Sequence, residues 1–292
     1  MIERIIFGDN QFFGINHMSE EKARAQSLKF KDTASIIKVL DNAYDLGIKT
    51  FMCTTHDRIA DVCNHLRANP EKYSDYTIYP CLPYAHKYND AVTEMGLLGA
   101  LSHFTKGDNV LGLLLEGGLA ASKSDVKGIM KILIDQELKR FKGINTPVIF
   151  IQNVLLDLLL GLGFKDIIKA YADYIKEKYK AEPGFITMNL PLCLSVLKEC
   201  GIDNPIVCCN INKIGFRMSG GNEVYEKLIR EQEFQCIAMS VFASGAIGPK
   251  EAFEYVSNLK GLNSIVFGAS SKDHIEQNKL MIDEALSKGG MQ

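Results

Sequence analysis

The chain has 292 residues, 47% hydrophobic and 23% charged, and a formal net charge of −2. Such a composition supports a large buried core, and without a basic surplus it gives no electrostatic case for nucleic acid or anionic lipid. The first residues enter an apolar strand with no signal-peptide layout, and the most apolar run, 154–164, contains Asp157 and is too short to span a bilayer, so a cytoplasmic protein with no membrane partner is expected.

In chain order, Ile5 to Phe7 form a short strand that ends in Gly8-Asp9-Asn10-Gln11, followed by a polar loop with a charged run at 20–24. Asp32 and Thr33 cap a helix over 34–46, where Ile36, Ile37, Val39, Leu40 and Ala43 follow helical spacing. A strand at 50–53 leads to Thr54, Thr55, His56 and Asp57 and a helix to residue 68, and a third strand spans 76–79. The stretch 84–146 is about twice as long as a βα connection needs. It reads as a helical insertion between strands 3 and 4, with helices near 91–103, 111–121 and 124–141. Its apolar residues suit a cover over the barrel mouth or a homo-oligomer contact.

Strand and helix then alternate: strands at 148–151, 185–188 and 206–209 end in Gln152-Asn153, Asn189 and Asn210, with helices at 166–178, 191–199 and 222–231. Two further units follow, with strands at 236–241 and 265–267 and helices opening near Pro249 and Lys272. Eight near-continuous apolar strands, each followed by a helix, predict an α/β (β/α)8 TIM barrel as a single domain over 1–292. The eight cysteines form no CxxC pair and fall in apolar segments, so they read as buried thiols, and no metal site is expected.

In such a barrel the ligand face carries the strand tips. Those tips give Asp9, Asn10, Gln11, Thr54, Gln152, Asn153, Asn189 and Asn210, an amide- and hydroxyl-rich rim suited to an oxygen-rich small molecule. Asp9 and the His56–Asp57 pair are the acid–base candidates. The two terminal turns offer backbone amides at helix starts, an anion site from Ser240, Ser244, Gly245, Gly268, Ala269, Ser270 and Ser271, with Lys272 as supporting cation.

Several stretches resemble the aldo-keto reductase superfamily. Ala43-Tyr-Asp-Leu-Gly-Ile-Lys-Thr-Phe51 is similar to its helix-to-second-strand junction, Ser240-Val-Phe-Ala-Ser-Gly245 to its seventh-strand loop, and Gly268-Ala-Ser-Ser-Lys-Asp-His-Ile-Glu-Gln-Asn278 to its cofactor motif. The resemblance implies the barrel fold and a nicotinamide cofactor at the terminal turns. The family's catalytic Asp, Tyr, Lys and His have no match here: Met52 or Cys53, His56 or Asp57, Pro80 to Leu82, and Gln152 stand in their regions. Ser271 replaces the arginine that grips a 2′-phosphate, so the cofactor is left unknown, with NAD(P) disfavoured. Three readings stay open. One is an acid–base enzyme (isomerase, epimerase or lyase) on an oxygen-rich or phosphorylated metabolite. The others are a divergent NAD(P)-dependent oxidoreductase and a non-catalytic binding barrel.

Overall fold

Eight parallel strands close into a barrel in chain order: β1 (Ile5–Phe7), β2 (Thr50–Thr54), β3 (Thr77–Leu82), β4 (Val148–Ile151), β5 (Glu182–Thr187), β6 (Ile206–Asn210), β7 (Gln235–Met239) and β8 (Leu262–Phe267). The structure is a computed structural model and describes residues 2–14, 19–83 and 123–289. Strand side chains alternate between two layers, as a period of two requires. Ile6, Met52, Tyr79, Phe150, Ile186, Cys208 and Ile237 fill the barrel interior. Phe7, Phe51, Ile149, Phe185, Val207 and Cys209 pack outward under the helices. Cys208 and Cys209 therefore face opposite layers, and of the eight cysteines only Cys200 is not fully buried.

The helices are α1 (Glu20–Lys29), α2 (Thr33–Asp45), α3 (Arg58–Ala68), α4 (Lys123–Leu138), α5 (Asn153–Gly161), α6 (Lys165–Tyr174), α7 (Leu190–Glu199), α8 (Asn222–Glu231), α9 (Pro249–Ser257) and α10 (Lys272–Gly289). Asp32 caps α2 by accepting from the Ser35 amide at 2.7 Å, as its position before the apolar run implies. Sequence periodicity leaves α1 and α5 as loop. The first is made of good helix formers without an apolar stripe, and the second is apolar nearly all round, so neither shows the alternation that marks an amphipathic helix.

Of the three helices expected within 84–146, the last is present as α4 with a short turn over Lys139–Phe141. The other two fall on 84–122, outside the described residues. Among the described residues no helix is long and apolar enough to cross a membrane.

One glycine in the sheet is fixed by packing. Gly184 of β5 lies opposite Phe150 of β4, and a Cβ at Gly184 would overlap the Phe150 ring. Phe150 is fully buried, and a close-packed interior resists its displacement. Gly184→Ala should therefore lower stability by about 1–3 kcal/mol, read from thermal or denaturant unfolding. Combined with Phe150→Leu, the loss should be smaller than the sum of the two single changes, because the smaller side chain vacates the space. A Gly184→Ala variant as stable as the parent would show that β4 and β5 can separate at this point.

Candidate functional site

The mouth of the barrel is built where β1 ends. The Gly8 amide donates to the Phe267 carbonyl at 2.8 Å, which keeps the chain against β8 and delivers Asp9 to the rim. Asp9 Oδ2 accepts two hydrogen bonds, from the Thr54 backbone N–H and from the Thr54 hydroxyl, both at 2.7 Å. Asp9 is buried, and burial pushes its carboxyl up to about 6, against the lowering pull of the two Thr54 bonds. The structure thus joins two of the sequence-derived site residues, Asp9 and Thr54, through an acid poised near neutrality.

The β2–α3 turn is stapled to the β1 connection through aromatic contacts. His56 lies flat on Phe13, with ring centroids 4.1 Å apart and planes 14° off parallel, and the Arg58 guanidinium sits 5.1 Å from the same Phe13 ring. His56 Nδ1 accepts from the Arg58 amide at 3.1 Å, which in the neutral ring leaves the proton on Nε2. Arg58 also donates to the carbonyls of Phe12 and Phe30, tying the start of α3 to both ends of the β1–α2 connection. Asp57 is largely exposed and faces Arg140 at 3.7 Å. The ring of His56 is oriented by Phe13 and the Arg58 amide.

The remaining rim residues have local partners. Gln152 precedes α5 and donates to the Cys81 carbonyl at 3.3 Å, and Asn153 is the first residue of α5. Asn189 caps α7 by accepting from the Leu192 amide at 3.3 Å. Asn210 is buried and donates to the Arg217 carbonyl at 2.9 Å, which holds the loop ahead of α8. Asn10 is exposed, and Gln11 is buried with its Nε2 donating to the Gly8 carbonyl at 2.8 Å. Sequence reasoning missed Asp157, whose carboxylate accepts from the Thr187 hydroxyl at 2.5 Å and the Met188 amide at 3.0 Å. Its signal was an acid inside an apolar run. Burial raises its carboxyl above the usual range.

At the terminal turns, Ser240, Ala243, Ser244 and Gly245 all adopt positive φ, at 54°, 46°, 59° and 91°. Non-glycine residues in that region mark a backbone held by its surroundings. Beyond β8, Ser271 Oγ accepts from the His274 amide at 3.4 Å and so caps α10. A cavity of about 340 Å³ opens here. It is lined by Gly268, Ala269 and Ser270 of the turn, by His274, Gln277, Asn278 and Met281 of α10, and by Pro249, Gln11 and Gln26. A Cβ at Gly268 would collide with the Gln11 carboxamide, so glycine is required for that close approach. Ser240, Ser244, Gly245, Ser271 and Lys272 lie outside the lining, and Lys272 is exposed. Among the described residues no group of three His, Cys, Asp or Glu could hold a metal ion.

A scan against protein-family models finds no match, and a search of the curated proteins finds none. Solved structures do match along nearly the whole chain. A candidate aldo-keto reductase from Pseudomonas aeruginosa superposes with a TM-score of 0.61 at 15% identity, over 98% of this chain and 91% of that one. The holo form of an aldo-keto reductase from Bacillus halodurans gives 0.56 at 11% identity, over 100% and 94%. A variant of the protein Gox0644 in complex with NADPH gives 0.51 at 9% identity, over 97% and 87%. At these identities the likeness bears on architecture: the chain has the (β/α)8 barrel fold of the aldo-keto reductases.

Proposed function

We propose that the chain is an oxidoreductase of the aldo-keto-reductase type, binding a nicotinamide dinucleotide at the β8–α10 turn and using Asp9 as its proton-transfer group. The observation that carries this reading is the cavity of about 340 Å³ against that turn, in the stretch whose sequence resembles the family's cofactor motif. The neighbour Gox0644 carries NADPH in its own structure, which supports the same class of ligand here. The structures named above lend no support to isomerase, epimerase or lyase chemistry.

The residues fit the adenosine end of such a molecule. Gly268 brings backbone close to the ligand without a side chain, and Ser270 together with the start of α10 offers donors to a phosphate. Gln277 and Asn278 supply amides for a polar ring or a ribose. When bound, a reduced nicotinamide supplies a hydride.

The chain's own part is the proton. Carbonyl reduction forms one C–H bond and one O–H bond, and the second needs an acid in place of the family's missing tyrosine. Asp9 holds Oδ2 on Thr54, which leaves Oδ1 to carry and release a proton at the mouth. Once released, the negative charge rests on a carboxylate already held by two donors, and the donors limit the cost of its burial. His56, fixed on Phe13, is the second acid–base candidate beside Asp9.

The sign of the pH dependence follows from Asp9. With a carboxyl near 6, reduction should slow as pH rises through about 6, and alcohol oxidation should slow as pH falls through it. Because the folded value lies above the unfolded 3.8, the native state binds the proton more tightly. The protonated carboxyl's stability advantage is full below about 4 and is lost by about pH 6, an effect of about 3 kcal/mol at neutral pH. Asp9→Asn keeps an oxygen for Thr54, so it should be at least as stable as the parent at pH 7 while turnover falls by about 100-fold or more. An Asp9→Asn variant with unchanged turnover would remove Asp9 from the chemistry.

Binding has its own test. Titration with reduced nicotinamide dinucleotides should change cofactor fluorescence, and Gly268→Val should abolish that change by driving the Gln11 carboxamide into the cavity. Lys272→Ala should weaken binding by no more than about 1 kcal/mol, since its ammonium is solvated. Undiminished binding in folded Gly268→Val would place the ligand elsewhere.

A further inference from the structure

We infer that Gln26 of α1 is a specificity-determining residue that makes the cavity prefer a dinucleotide without a 2′-phosphate. This deepens the proposed function and rests on its reading of the cavity as a dinucleotide site. The Gln26 carboxamide oxygen is buried and has no hydrogen-bond partner within the structure, yet Gln26 lines the same cavity as Gln277 and Asn278 of α10. A buried acceptor in that condition is satisfied by a ligand that donates.

A second acceptor comes from the same connection. Gln11 spends its amide nitrogen on the Gly8 carbonyl, and its oxygen is therefore the atom turned to the Gly268 backbone. Among the described residues no Lys or Arg lines the cavity, and the His274 amide near the helix start is already engaged by Ser271. A ribose diol brings hydroxyl donors and no charge. A 2′-phosphate brings acceptor oxygens and a charge of about −1.5 to −2 against the carboxamide oxygens of Gln26 and Gln11, with no cation among the described lining residues.

The position of Gln26 is set by the fold. Phe30, just past the end of α1, packs edge-on against Phe12 at 4.9 Å, and its carbonyl accepts from Arg58. Residue 26 is one helical turn earlier, and the Phe30 amide donates to the Gln26 carbonyl at 3.0 Å. Fixing Phe30 therefore fixes the backbone of Gln26 at the cavity.

The test measures dissociation constants of NADH and NADPH, by fluorescence titration or calorimetry, for the parent protein, Gln26→Leu and Gln26→Arg. The parent should bind NADH at least about tenfold more tightly than NADPH, a difference of about 1.4 kcal/mol. Gln26→Leu should weaken NADH several-fold and leave NADPH nearly unchanged, whereas Gln26→Arg should reduce or invert the preference by giving a phosphate its cation. Equal or tighter NADPH binding by the parent, or a ratio that neither variant moves, would overturn the role of Gln26. Failure of the parent to bind either molecule would instead overturn the dinucleotide site itself.

Discussion

The mouth of this barrel depends on one buried carboxylate. β1 is only three residues long and pairs with β2 at Phe7 and Phe51, while its register with β8 extends over all three of its residues. Beyond Phe7 the backbone ladder on the β2 side gives way, and Asp9 Oδ2 receives the Thr54 amide that a strand carbonyl would otherwise take. The Thr54 hydroxyl adds a second bond to the same oxygen. Closing the seam with a side chain puts an ionisable group where backbone would normally sit. The consequence is electrostatic: removing the carboxylate from water disfavours its charge more than two hydrogen bonds favour it.

That single placement connects fold and chemistry. A barrel holds its interior by filling it, and here the filling is apolar, with Phe150 lying across Gly184 and Tyr79 among the buried interior side chains. Polar groups collect at the strand ends, and most are consumed by caps and loop anchors such as Asn189 and Asn210. Asp9 differs because its partners leave one oxygen uncommitted to Thr54. Across the rim, the β1–α2 connection does a second job: it sends Gln11 and Gln26 to face the β8–α10 turn. In the proposed function, proton transfer and ligand binding would share one connection, anchored through Arg58 to Phe12 and Phe30.

Much of the architecture was legible from periodicity. β4 and α8 fall on the boundaries expected from apolar runs and flanking turns, and the alternation after residue 147 leads to a closed parallel sheet. α1 and α5 were not legible, because a helix with no apolar face and a helix with almost no polar one both lack the contrast that periodicity measures. At the site, Asp9 stood out as an acid at a strand tip. Its meaning lay in Thr54, 45 residues away, and no local pattern announces such a bond. The terminal turns were legible through their small residues, but Lys272, expected as a supporting cation, stands exposed outside the cavity lining. Gln26 carried no signal at all: it belongs to a polar helix, and only the folded barrel brings it into one cavity with residues of α10.

The most direct measurement is the titration of the Asp9 carboxyl itself, followed by NMR of carboxyl-labelled aspartate and assigned by its disappearance in Asp9→Asn. A midpoint near 6 in the folded protein is expected from burial opposed by the Thr54 bonds. A midpoint at or below the ordinary value of 3.8 would mean that the carboxylate is charged throughout the neutral range, and Asp9 could not then be the proton donor at the mouth.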